Sequence, residues 1–135
     1  MTYPISDLDG ITPDQIKLLK SVGIRTTEKL LNAACTVKKR NALTAKTGVS
    51  AQQWLSWANN ADRMRVKGVG QDNAKLLQEV GVVTVRALKY RNPGHLAKAM
   101  REANGKHKLV RLLPTENAIK RWIEAAKKLD QKIEY

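Results

Sequence analysis

The chain of 135 residues is 42% hydrophobic, which suits one compact domain or two small fused ones and excludes a disordered chain. With 25 Lys and Arg against 12 Asp and Glu it carries a net +13, beyond the magnitude of roughly 2–8 that solubility asks of a small domain, so a polyanionic partner is expected. No apolar run approaches the length of about 18 residues needed to span a membrane, and the single Cys35 excludes an intrachain disulfide.

In chain order, the opening "MTYPISDLDG" has neither a basic patch nor an apolar core and is not read as a secretory signal. Together with the lone cysteine this makes a reducing cytoplasm the expected compartment. "GITPDQ" then places Thr12 at an N-cap, Pro13 at the first helical position and Gln15 where a capping box needs it. The helix that follows carries Ile16, Leu19 and Val22 at helical spacing and ends at Gly23; Thr26 or Thr27 opens a short second helix. No acid occurs between Lys29 and Ala61, a stretch that contains Lys38, Lys39, Arg40 and Lys46. Ser50 caps a helix reaching about Met64, with Trp54 and Trp57 read as core. Beyond "RVKGVGQDNAKLL" the helical pattern returns through Ala74, Leu77 and Val80 to Gly81, and Thr84 opens another short helix. A second basic stretch holds Lys98, Arg101, Lys106, Lys108, Arg111, Lys120 and Arg121, opposed by Glu102 and Glu116. Thr115, after Pro114, caps the last helix, which carries Trp122. No segment alternates with a period of two, so the expected fold is all-α, with about 8–10 short helices and no sheet.

The chain repeats itself. Gly10–Leu31 set over Gly68–Lys89 gives nine identities in 22 ungapped positions, on one apolar pattern. Further on, Ser50 falls over Thr115 and Trp57 over Trp122, after an insertion of about seven residues expected around "REANGKHK". The expected division is therefore 1–64 and 65–135, with the helix near 51–64 shared in one compact unit. The copies differ where it matters for an anion. Lys67 stands against Asp9 and Gly70 against Thr12, and Asp7, Asp9 and Asp14 surround the first turn with negative charge.

A helix, then Gly68-Val69-Gly70, then a helix with Ala74 four residues on, resembles the helix-hairpin-helix motif of DNA repair, recombination and polymerase proteins. A dinucleotide-binding reading of the glycines fails, because no strand precedes them and Asn73 stands where the third glycine belongs. The resemblance implies tandem helix-hairpin-helix (SAM-like) repeats. It also implies contact with the sugar-phosphate backbone, in some members with a bound monovalent cation, here at Gly68–Gly70; no other cofactor is expected. Carried over, Gly68, Val69 and Gly70 form the hairpin with Val69 tucked between the helices. Lys67 and Lys75 flank it, and Arg63 and Arg65 lie on its approach. Lys38, Lys39, Arg40, Lys106, Lys108 and Arg111 extend the expected footprint. The doubled pattern, from about Ser6 to Leu129, is similar to a bacterial family, domain of unknown function 4332, which implies the fold more than an activity.

Catalysis is not expected. The region twenty or so residues past the hairpin, where helix-hairpin-helix glycosylases keep an aspartate, reads "VRALKYRNPG" without an acid. His95 and His107 lack ligand partners at metal spacing, and no nucleophile–base set is visible. With three Tyr and no Phe, the aromatic side chains are too sparse for a platform of successive stacked bases. The expected function is non-sequence-specific nucleic-acid binding, DNA before RNA. A helical adaptor for an acidic protein, or an RNA- or ribosome-associated protein, fits the same charge.

Overall fold

Two valine-glycine joints organise the helices, and both close in the same way. The computed structural model describes residues 2–135. Helix α1 (Pro13–Ser21) ends with Gly23 N–H donating to Lys20 O (3.0 Å) and Ile24 N–H donating to Leu19 O (2.9 Å). Helix α5 (Gly70–Glu79) ends with the same pair, Gly81 N–H to Gln78 O (3.0 Å) and Val82 N–H to Leu77 O (2.9 Å). Each is a Schellman motif, and its apolar clasp is buried: Ile24 on Leu19 in one copy, Val82 on Leu77 in the other.

From each joint the chain re-enters a helix through a threonine. Thr26 Oγ1 accepts from Lys29 N–H (3.2 Å) to open α2 (Thr27–Ala33), and Thr84 Oγ1 accepts from Ala87 N–H (2.9 Å) to open α6 (Val85–Lys89). Thr27 serves elsewhere, its Oγ1 accepting from Tyr3 N–H (3.0 Å). Helix α3 (Val37–Thr47) starts at Thr36 and α4 (Ala51–Met64) at Ser50, whose Oγ accepts from Gln53 N–H (3.1 Å). Helix α7 (Pro93–His107) starts at Asn92, and α8 (Glu116–Lys128) at Thr115. The insertion expected around "REANGKHK" is mostly a longer helix. Helix α7 has 15 residues against 11 in α3, so four of the roughly seven inserted residues lengthen the helix, and Lys108 closes it with φ +51°. Among the described residues the only β pairing is an isolated bridge between Pro4 and Thr26, so the fold is all-α. No helix of the described residues is long and apolar enough to cross a membrane.

Two compact units result, residues 1–62 with 131–135, and residues 63–130. The last five residues, expected with the second copy, belong to the first unit. Glu134 N–H donates to Cys35 O (2.7 Å), the Arg40 guanidinium donates to Glu134 O, and the Tyr135 hydroxyl donates to Asn59 Oδ1 (2.7 Å). The first unit's core includes Ile5, Leu19, Leu30 and Trp54, with Trp57 edge-on to Trp54 at 5.1 Å and 86°. In the second, α8 packs on α6 and α7, and α5 on α7. Its apolar stripe of Ile119, Trp122, Ile123 and Ala126 is buried, which turns Lys120, Arg121, Lys127 and Lys128 outward.

Candidate nucleic-acid interface

The turn before α5 repeats the backbone of the turn before α1 up to one residue. Leu8 N–H donates to Ile5 O (3.1 Å) and Ile11 N–H to Leu8 O (3.4 Å); in the second copy Val66 N–H donates to Arg63 O and Val69 N–H to Val66 O, both at 3.2 Å. Gly10 and Gly68 both take left-handed φ, +71° and +91°. The copies then part. Thr12 is extended at φ −88°, whereas Gly70 is left-handed at +68°.

That one dihedral decides how each helix begins. An extended residue can cap, and Thr12 does: its Oγ1 accepts from Gln15 N–H (3.2 Å) while Gln15 Oε1 accepts from Thr12 N–H (2.9 Å). With Gly70 left-handed, Val69 takes the capping position in helical conformation, and no side chain caps α5. The first turn of α5 therefore keeps N–H groups and partial positive charge available to an anion. Asp72 in that turn opposes an anion, but Asp14 occupies the same place in α1, so it is a shared helix-end charge.

Beside the turn lies a cleft of about 590 Å³, with Lys67, Gly68 and Asn73 on one wall and Arg121 and Trp122 on another. Lys67 and Arg121 are exposed at its rim; Val69 is buried beneath the turn. Asn73 Oδ1 is buried without a hydrogen-bond partner, an acceptor on the cleft wall that only water or a ligand would satisfy. Trp122 supports the turn from below. A Cβ on Gly68 would stand 3.1 Å from Trp122 Nε1, whereas one on Gly70 would meet nothing within 4 Å. Gly68→Ala is thus expected to cost about 2–3 kcal/mol, strain plus crowding, and Gly70→Ala about 1–2 kcal/mol, strain alone. Urea unfolding of both variants checks the order; equal losses would mean Trp122 yields freely.

Charge separates the units. Residues 63–130 hold 16 Lys and Arg and 6 Asp and Glu, a net +10; the remainder hold 9 and 6, a net +3. The basic excess is mostly a property of the unit that contains the uncapped turn.

Not every expected residue serves that surface. Arg40 is 4% exposed, with Nη1 donating to Ala34 O (2.9 Å) besides its bond to Glu134 O, so it belongs to the core of the first unit. Arg63 is 2% exposed and donates to Ala74 O (3.1 Å), Val83 O (2.6 Å) and Gln78 Oε1 (2.7 Å). Arg65 is half-buried, with Nη2 on Asp130 O (2.9 Å), and Lys75 is half-buried on α5. Lys38 and Lys39 are exposed on α3 of the first unit, Lys39 Nζ donating to Asn32 O (3.0 Å). Lys106 and Lys108 sit at the end of α7, where His107 Nε2 lies 3.7 Å from Glu79 Oε2. Glu79 is the last residue of α5, about 14 Å along the helix from Gly70, so these lysines mark its far end. Arg111 is exposed and leads directly into Leu112 on the cleft wall.

Among the cleft residues outside the expected set are Arg121 and Asn73, a cation and an unsatisfied acceptor. Spacing carried a signal for the first: Ala118, Arg121, Trp122 and Ala125 share one side of α8 and line the cleft together. Nothing local marked Asn73.

Fold and site define an all-α protein whose strongly basic second unit is built around a two-glycine turn. The chain belongs to the family described as domain of unknown function 4332, which matches residues 9–129. No curated protein and no solved structure matches it significantly.

Proposed function

We propose that the protein is a non-catalytic, non-sequence-specific nucleic-acid-binding module that seats a DNA backbone on the turn Lys67–Gly70. In this reading the two copies are helix-hairpin-helix units, the first structural and the second binding. The observation that carries it is the uncapped, left-handed start of α5 in a unit of net +10, beside the exposed Lys67 and Arg121. A phosphate oxygen accepts N–H groups of the first turn of α5 while the two cations neutralise its neighbours. Arg111 and the outer face of α8 extend the contact within the same unit. Such contacts position a duplex without reading its bases.

A monovalent cation at Gly68–Gly70, which the helix-hairpin-helix reading implies, would be held by backbone carbonyls of the turn together with a phosphate oxygen. Neutral oxygens suit a hard ion held jointly with phosphate and do not suit a transition metal.

The test is salt dependence. With about four to six phosphates neutralised, log K for a duplex is expected to fall against log salt with a slope of roughly −3.5 to −5.5. A nearly flat dependence, or binding to one sequence far above others, would remove the proposal. RNA in place of DNA at equal affinity would leave the backbone contact standing and discard the preference for DNA.

A further inference from the structure

Tyr90 is 79% exposed, standing just past the C-terminus of α6. It lies over a recess of about 320 Å³ whose charged walls are Lys89, Arg91, Lys120, Lys127 and Glu124, with buried Ile123 beneath. Glu124 is taken by Lys127 at 3.3 Å, and among the described residues Lys89, Arg91 and Lys120 have no carboxylate partner. A ring face left in water among unpaired cations is matched by a group that is itself flat, apolar on its faces and flanked by negative charge. We propose that this recess receives one unpaired nucleotide, its base stacked on Tyr90 and its phosphates held by Lys89, Arg91 and Lys120.

The proposal rests on the chain being a nucleic-acid-binding protein, but not on the turn being its contact. One ring offers one stacking position, in keeping with the scarcity of aromatic side chains. Helix α8 joins this recess to the cleft. Arg121 and Trp122 face the cleft, whereas Lys120, Ile123 and Lys127 face Tyr90. At 100° per residue these are opposite flanks of one helix, about 10–12 Å apart; Arg121 and Lys120 edge the two flanks, and the exposed face between them carries Lys128 and Glu124, the latter paired with Lys127. A strand leaving a duplex at the turn would cross α8 over cations to reach the ring. The preferred ligand is then a junction of duplex and single strand.

The experiment uses the full chain and fluorescence anisotropy at about 0.1 M salt, where the Debye length is about 10 Å. A blunt duplex is compared with the same duplex bearing a single-stranded tail of one, two or several nucleotides, and with an abasic tail. The tail is expected to tighten binding about tenfold, mostly through its first two nucleotides, and the abasic tail to give little of that gain. Tyr90→Ala is expected to abolish the gain, Tyr90→Phe to keep it, and both to leave blunt-duplex affinity within about twofold. A full gain from the abasic tail, or a full gain in Tyr90→Ala, overturns the proposal. So does polyglutamate bound as tightly as the tail and equally dependent on Tyr90, which would make the recess a seat for an acidic peptide. Tyr90-dependent binding of the tail without any binding of the blunt duplex supports this site and overturns the one at the turn.

Discussion

Arg63→Ala is expected to lower the stability of the second unit by about 3–5 kcal/mol, the largest loss among single substitutions considered for this protein. The guanidinium is 2% exposed and holds three oxygens: Ala74 O within α5, Val83 O in the joint before α6, and Gln78 Oε1. Truncation leaves the buried Ala74 O and the part-buried Val83 O and Gln78 Oε1 around a cavity, with no donor of similar reach. The first copy explains why a side chain is needed. There Arg25 O, the counterpart of Val83 O, accepts from the backbone N–H of Ile5 at 3.2 Å, and Ile5 occupies the position of Arg63. In the second copy that position lies in the last turn of a 14-residue helix, so the bond to this carbonyl is made by the guanidinium. Arg63→Lys should recover little, because an ammonium cannot present the fork that meets oxygens on three sides. Urea or thermal unfolding tests this, with a fall in Tm of roughly 10–20 °C expected; a loss below about 1 kcal/mol would mean the network is dispensable.

Charge reversal at the turn has the largest expected effect on binding. Lys67→Glu combined with Gly70→Asp is expected to weaken duplex binding about 100-fold at low salt, since it removes a cation and places a carboxylate where a phosphate would sit. The double variant should remain folded. Lys67 is exposed, a Cβ at Gly70 meets nothing within 4 Å, and aspartate tolerates a left-handed φ of +68° better than most residues. Circular dichroism establishes the fold and anisotropy the affinity. Unchanged affinity in a folded double variant would move the contact away from the turn. The pairing with Tyr90 is informative here, because a strand held only at the recess would survive the reversal at Lys67 and Gly70.

The helix ends were legible because their causes are local. Thr12 with Gln15, Gly23 with Ile24, and Gly81 with Val82 act within six residues of one another, and the structure places each where the pattern does. Duplication was legible for the same reason, as were the buried Trp57 and Trp122, which repeat one helical position. Their surroundings were not. Trp57 packs edge-on against Trp54, while Trp122 supports Gly68, a difference that follows from neighbours distant in the chain. The longer α7 was half legible, since "REANGKHK" signals an insertion but its glycine and charges hide a helix that continues through them.

Sequence alone settles the helix ends set by local caps, at Thr12, Gly23, Ser50, Gly81, Thr84 and Thr115, that the chain is doubled, and that it is strongly basic. Tertiary structure decides which of those charges meet water. Arg40 and Lys39 are adjacent and equally basic, yet Lys39 is exposed and Arg40 is buried on a carbonyl 94 residues away. Arg63 is buried by acceptors 11, 15 and 20 residues further on, two on successive turns of α5 and one in the joint after it. A cation leaves water only where enough oxygens converge to replace its hydration. Convergence of that kind depends on the packing of α4, α5 and the joint between α5 and α6. The same packing gives the turn "VKGVG" its exposed Lys67 and leaves Tyr90 standing in solvent.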